Sequence, residues 1–371
     1  MKKILLLIIP TIVLLIFTLS RTDTSTLYLL NWGEYIDPSL IEEFEEQYNI
    51  TVVMDEVGSS EDMYQKVKSG TTSYDVCIPG DYMIEKMYLE NMIQKLDYSK
   101  IPNYHVDMFN DDLTRIRKSS FFEGNEDYCV PYFWGAYAII YSTRNESVGK
   151  TIEANGFNAI FDPSLYATSV KLAMYDVPRF ATTAYLLTQG KNINTTSKYD
   201  YEGVVETLTK ANYTLWGNDN IKKQIAEGNI DAGLVQLGDF FDQYYLSLSS
   251  GEQINFSCYI PDNTVAFFDA MVIPTTSKNP DLGYKFINFM LDTNHSFQNA
   301  SYVGYTPTIK EVVNKIKSSK DFEEILDKYP FYVDPLKGND APLFRYIDCL
   351  DDGTNYQEYL ITLINKAKSQ K

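Results

Sequence analysis

Histidine is almost missing from this sequence: His105 and His295 are the 2 examples in 371 residues. A zinc site and a histidine-dependent nucleophile both lose their commonest component. The 4 cysteines, Cys77, Cys129, Cys258 and Cys349, stand far apart and have no metal-ligand spacing. An oxidising compartment permits a disulfide, but spacing selects none of the three pairings; buried free thiols are the simpler expectation. There is no Gly-x-Ser-x-Gly elbow, metal motif, internal repeat, low-complexity tract or long linker. Past residue 25 no apolar run approaches the roughly 20 residues needed to span a bilayer, so that part is read as soluble. Positive charge is scarce as well: 32 basic against 50 acidic side chains leave a net charge of -18. Repulsion then disfavours nucleic acid and anionic membranes as partners.

What the chain does contain begins with an export-type N-terminus. Lys2 and Lys3 precede the apolar stretch Ile4 to Leu19, which is interrupted by Pro10, Thr11 and Thr18. Residues 1–20 are read as a signal peptide or N-terminal anchor, placing the protein in the periplasm or otherwise outside the cytoplasm. No cysteine follows the run to carry a lipid, and no clean small-x-small cleavage site is present, so cleavage and membrane tethering both stay open. The length suits two domains, each with its own core. Tyrosine and phenylalanine are abundant, 30 and 20, against 3 tryptophans. A/T-rich coding explains that excess without function; an aromatic-lined site explains it with one. The acidic balance likewise has two readings, solubility or attraction of a cation.

Strand and helix patterns alternate. Leu27 to Leu30 is a strand ending in Asn31-Trp32-Gly33-Glu34-Tyr35. Asp37 and Pro38 open a helix carrying Leu40, Ile41, Phe44 and Tyr48, and Ile50 to Met54 is the next strand. Glu61 to Lys68 is helical, Val76 to Ile78 a strand closed by Pro79-Gly80, and a further helix runs to about Leu89. The same design returns with strands at Lys171 to Met174 and Ala232 to Gln236, then Phe267 to Pro274 and a helix over Leu282 to Leu291. Such alternation predicts α/β architecture with mainly parallel sheets flanked by helices. Ligands in such sheets sit beyond the carboxyl ends of strands.

Those strand ends carry Trp32, Glu34 and Tyr35; Asp81 and Tyr82; Asp176; Asp239; and Phe267 and Asp269. Tyr305, in Gly304-Tyr305-Thr306-Pro307, completes the set. Carboxylates spaced between aromatic faces suit a linear, multiply protonated ligand, because rings cover methylenes and attract cations while carboxylates bond the ammonium groups. Each position also has a plainer reading: an Asp at a strand-to-helix junction is commonly a helix cap, and a loop Trp or Tyr commonly packs.

At Asn31-Trp32-Gly33-Glu34-Tyr35 the chain resembles the bacterial spermidine/putrescine-binding proteins. The likeness continues in order through Ser60-Glu61-Asp62-Met63-Tyr64, Tyr74-Asp75-Val76, Lys86-Met87, Met92 to Asp97, Val130-Pro131-Tyr132-Phe133-Trp134-Gly135 and Gly304 to Pro307. It implies a two-lobe periplasmic-binding-protein fold of type II, with lobe 1 formed by 26–136 and 268–312 and lobe 2 by 137–267 and 313–371. It further implies a polyamine in the interlobe cleft, an ABC-importer permease as partner, a monomer, no cofactor and no catalysis. Trp32, Glu34, Tyr35, Asp81, Tyr82, Asp176, Asp239, Phe267, Asp269 and Tyr305 are carried over as ligand contacts. Gly80 replaces a serine typical of the family, Gln236 a tryptophan, and Arg179 aligns near an amine-binding glutamate. A guanidinium there would repel an ammonium, so either Arg179 points away or the same fold holds another solute by an anionic group. Asp239 and Phe267 lean toward the putrescine-type pattern. An exported hydrolase using Asp176 and Asp239, or an adhesin, has no further feature in its favour.

Overall fold

In the computed structural model, which describes residues 25–218 and 220–370, the first element is the strand β1 (Thr26–Trp32). The export or anchor segment 1–20 lies outside the described residues. Asp37 caps the following helix, Pro38–Tyr48, by accepting from the Ser39 backbone N–H, with Pro38 in the first turn and Leu40 and Phe44 buried. Asn49 leaves the helix at a φ of 50° and turns the chain into β2 (Thr51–Val57), parallel to β1. After the helix Ser60–Ser69, β3 (Val76–Cys77) pairs parallel on the other side of β1, giving the order β2-β1-β3.

The dominant strand is β4 (Val130–Ser142), 13 residues long and buried throughout. A strand covered on both faces has no polar alternation, so periodicity does not announce it. Beyond it come β5 (Leu172–Tyr175), β6 (Leu215–Gly217), β7 (Ala232–Gln236), β8 (Phe256–Tyr259), β9 (Ala266–Met271) and β10 (Thr306–Pro307). β5 is parallel to both β6 and β7, repeating the first alternating design. β4 links the two halves by changing partners along its length. Its segment from Val130 to Ala136 runs antiparallel to β9, and that from Tyr137 to Tyr141 antiparallel to β7. Bridges from Cys77 to Val272 and from Gly80 to Asp269 attach the β3 side to the same β9 edge. Helices Asp81–Leu89, Pro178–Thr188 and Leu237–Ser249 start within a few residues of β3, β5 and β7, so those strand ends open onto the space between the halves.

A segment near the C-terminus straps the halves together. Arg345 donates to the buried Glu85 through Nε at 2.9 Å and Nη2 at 2.7 Å, and the Tyr346 N–H adds a bond of 2.8 Å. Its own backbone is held from the other side: the Arg345 carbonyl accepts from Arg179 Nη2 at 2.6 Å, and its N–H donates to Asn194 at 2.9 Å. All 4 cysteines are free thiols, three of them buried. Burial pushes Cys77 up well above the usual thiol range, and Cys129 up to about 11.

The first half has its own polar keystone in Asp75, fully buried. Its carboxylate accepts from the Tyr28 N–H at 3.0 Å, the Ser277 hydroxyl at 2.7 Å and the Asn279 N–H at 2.9 Å, tying β1 to the start of the helix Pro280–Met290. Removing a buried acceptor leaves its donors desolvated and unmatched. Asp75→Ala is expected to lower the unfolding free energy in urea by about 3 kcal/mol, with Asp75→Asn losing less because it keeps one acceptor oxygen.

Candidate ligand-binding cleft

Between the two halves lies a cavity of about 140 Å³ whose walls combine rings with carboxyl groups. Trp32 enters from the end of β1, and its indole Nε1 donates to the Ile78 carbonyl at 2.7 Å, which fixes the ring across the neighbouring strand. Glu34, exposed and at a φ of 54°, a region non-glycine residues seldom adopt, lines the same wall. Tyr35 is buried, its ring 4.9 Å from Tyr305 and 5.3 Å from Phe133, both edge-on.

The Tyr35 hydroxyl donates to Asp269 Oδ2 at 2.7 Å. Asp269 is a mid-strand residue of β9, and its burial pushes the carboxyl up to about 7 against the smaller opposing effect of the Tyr35 bond. Gly80 allows the β3 loop this close: a Cβ there would lie 3.3 Å from Asp269 Oδ1 and from Ser60 Oγ. Glycine at this position therefore gives Asp269 room.

Asp81 is the first residue of its helix, with Gly80 at the cap position. Its Oδ1 accepts from the Tyr82 N–H at 2.7 Å, whereas Oδ2 is buried and makes no hydrogen bond. Burial holds this carboxyl well above the usual range, the Asp269 charge adds to the rise, and the Tyr82 N–H and the Arg179 guanidinium partly offset it. The Tyr82 hydroxyl donates to Glu61 at 3.0 Å.

From the other half, Gln236 and Asp239 form a capping box at the start of the helix Leu237–Ser249. The plainer reading of Asp239 as a helix-end residue is thus correct, yet its Oδ1 also accepts from the Tyr305 hydroxyl at 3.1 Å, as does Gln236 Oε1. Gly238 lies directly under the Tyr305 ring, where a Cβ would come within 2.1 Å of it. Phe267 completes this wall, 6.4 Å from Tyr305.

One expectation is corrected, and one open alternative is decided. Asp176 does not line the cavity. Its neighbours Tyr175 and Val177 do, and in extended chain adjacent side chains point to opposite sides. The exposed Asp176 carboxylate instead pairs with Lys368, which also removes the Asp176 and Asp239 pairing a hydrolase would need. Arg179 is likewise absent from the lining. Its guanidinium lies behind the wall, 4.6 Å from the Tyr82 ring centre and 4.7 Å from that of Phe344, so it is not placed to grasp an anion in the cleft. The repulsion feared from Arg179 is spent on rings and a carbonyl.

Sequence reasoning missed Glu61, Phe180, Lys222, Asp242 and Phe344, all in the lining. Asp242 had a signal, since it follows Asp239 by three residues on one helix and shares its face. Phe344 had none, lying in a segment without regular structure.

Known proteins agree with this geometry. Residues 39–324 match the family described as bacterial extracellular solute-binding protein. The spermidine/putrescine-binding periplasmic protein of Salmonella typhimurium is 32% identical over 80% of this chain and 81% of its own length. That of Escherichia coli is 30% identical over 80% and 81%. The solved structure of a spermidine/putrescine ABC transporter substrate-binding protein from Streptococcus pneumoniae is 27% identical, with a TM-score of 0.69 over 93% of this chain and 99% of that one. The resemblance and the two-lobe type II fold expected from it hold, and two α/β halves around a carboxyl-lined cleft, joined by a shared strand, are what that fold supplies: the chain belongs to the bacterial extracellular solute-binding proteins.

Proposed function

We propose that this chain is the extracytoplasmic binding protein of an ABC importer and that its cleft encloses a polyamine, putrescine or spermidine. One observation carries the reading: Asp81 and Asp269 are buried side by side in a ring-lined cavity, both carboxyls held up by desolvation, and Asp81 Oδ2 has no hydrogen-bond partner. An ammonium group supplies the counter-charge and the donors that this pair lacks. Trp32, Tyr35, Phe267 and Tyr305 then cover the methylenes, and Asp239 with Glu34 meets further charge. The names of the relatives support the same ligand class. The anionic-solute alternative lacks its residue, because Arg179 stands behind Tyr82.

In this reading the lobes divide where β4 changes partners, with 26–136 and 268–312 on one side and 137–267 and 313–371 on the other. Contacts from both sides make the closed form the tighter binder, so the ligand shifts the population toward closure. The closed monomer delivers its cargo to a membrane permease and performs no chemistry itself. Among the described residues no helix is long and apolar enough to cross a membrane.

Calorimetric titration of the mature chain is expected to show one putrescine or spermidine per protein at micromolar affinity or tighter, and no heat with thiamine or small anions; binding of the anions alone would reject the proposal. Asp269→Asn should weaken polyamine binding by about tenfold or more with an unchanged circular dichroism spectrum, and an unaltered affinity would remove Asp269 from the site.

The raised Asp269 carboxyl also sets a pH dependence. Its folded value of about 7 exceeds the ordinary 3.8. The folded state therefore binds more protons between those values, and the ligand-free protein loses this contribution to stability as pH rises across them. A cation needs the ionised form, so affinity should rise with pH up to about 7 and fall roughly tenfold per unit below it. The slope should flatten in Asp269→Asn; an affinity flat from pH 5 to 8 in the unaltered protein would contradict the assignment.

A further inference from the structure

Phe344 lines the cavity from a strap that the two halves grip by different means. The second half holds its backbone: Arg179 Nη2 donates to the Arg345 carbonyl at 2.6 Å, the Arg345 N–H to Asn194 Oδ1 at 2.9 Å, and Asn194 Nδ2 to the Leu343 carbonyl at 2.9 Å. The first half holds it through an ion pair. Arg345 Nε and Nη2 and the Tyr346 N–H converge on Glu85, whose side chain is 6% exposed. Among the described residues these are the only donors to that carboxylate. The Lys86 ammonium adds a contact 5.1 Å from the Tyr346 ring centre. Glu85 stands one helical turn past Asp81 on the same face of the helix Asp81–Leu89, so the strap grips the turn that carries Asp81 and Tyr82 into the cleft. Phe344 meets both: its ring lies 6.1 Å from that of Tyr82, and its N–H is among the groups that partly offset the rise burial causes in the Asp81 carboxyl.

We propose that Glu85 and Arg345 are positioning residues for ligand capture: an ion-pair clasp that holds the Asp81–Leu89 helix to the strap, seats Phe344 on the cavity, and parts when the halves separate and a ligand leaves. The inference rests on the polyamine reading of the same cleft. The two grips are unequal. Backbone bonds on the Arg179 and Asn194 side fix the strap itself, whereas the link to Glu85 runs mainly through one long side chain, so that link is the one that yields when the halves part. The Arg345 side chain is 44% exposed, which lets water take the place of Glu85 around its guanidinium. Glu85 has no such access while the strap is in place, and a buried carboxylate stripped of its cation is costly. Removing the Arg345 charge therefore penalises the enclosed form and spares the open one, where water reaches Glu85. A smaller enclosed fraction weakens apparent affinity in proportion, although neither residue touches the ligand.

The test compares the unaltered chain with Arg345→Gln, Glu85→Gln and the double variant, using putrescine and spermidine in calorimetry and stopped-flow fluorescence and small-angle scattering on the ligand-free proteins. Each single variant is expected to bind both polyamines about tenfold more weakly, with the loss in the dissociation rate rather than the association rate. The double variant should lose no more than the worse single one, because the two residues act as a pair. Without ligand, the variants should show a larger radius of gyration and an unchanged circular dichroism spectrum. Two single variants keep the question answerable if one of them misfolds. Affinities within about twofold of the unaltered chain, losses that add in the double variant, or a radius of gyration that does not move would each overturn the clasp while leaving polyamine binding intact. Absence of heat with both polyamines in the unaltered chain overturns the polyamine reading instead; scattering of the ligand-free proteins then decides the clasp alone.

Discussion

A single run of backbone belongs to both halves of this protein, and the cleft is built around it. β4 pairs with β9 as far as Ala136 and with β7 from Tyr137 onward, so its partner changes within one peptide unit. Its side chains carry that continuity into the walls. The Tyr132 hydroxyl donates to the Tyr35 carbonyl at 2.9 Å, and Phe133 packs against the Tyr35 and Tyr305 rings. A turn of chain later, Tyr137 stacks on Phe180 at 4.3 Å and touches Phe344. Groups from either side of the cavity are thus positioned against a common, fully buried reference. A hydrogen-bonded strand buried on both faces is among the least deformable parts of a fold.

The second theme is desolvation. A carboxyl group in a ring-lined space is costly when ionised, and Asp269 and Asp81 respond by holding their protons more tightly. Neighbours soften this only in part: Tyr35 gives Asp269 one donor, and Arg179 acts on Asp81 from behind the wall. The placement of Arg179 lets one buried cation pack against Tyr82 and Phe344, hold the Arg345 carbonyl and lower the Asp81 carboxyl without entering the cavity. Arg345 extends the same arrangement across the halves to Glu85, so charge organises both the pocket and the strap beside it.

Much of the fold was legible in particular residues. Asp37-Pro38 marks a helix start because a carboxylate followed by proline satisfies the first free N–H groups and fixes the first φ. The strand Ala232 to Gln236 appears with the bounds read from its apolar run. β4 escaped because burial on both faces erases the alternation by which a strand is usually recognised. Within the cleft, Trp32, Tyr35 and Asp81 line one cavity from the ends of strands, and Asp269 joins them from the middle of β9, where no strand-end argument places it. Asp176 failed the same rule by one residue of pleat, and Lys222 lies on a helix flank that no strand-end argument would reach.

By itself, then, the sequence determined the alternating strands and helices, the strand-end loops with their acids and rings, and the family, because local periodicity, capping and ordered motifs are properties of neighbouring residues. Only the tertiary structure decided which acids share the cavity, that Arg179 turns behind Tyr82, and that Arg345 pairs with Glu85 across the halves. Burial and charge pairing arise between residues distant in the chain, and their sign depends on angles and depths that no linear spacing encodes.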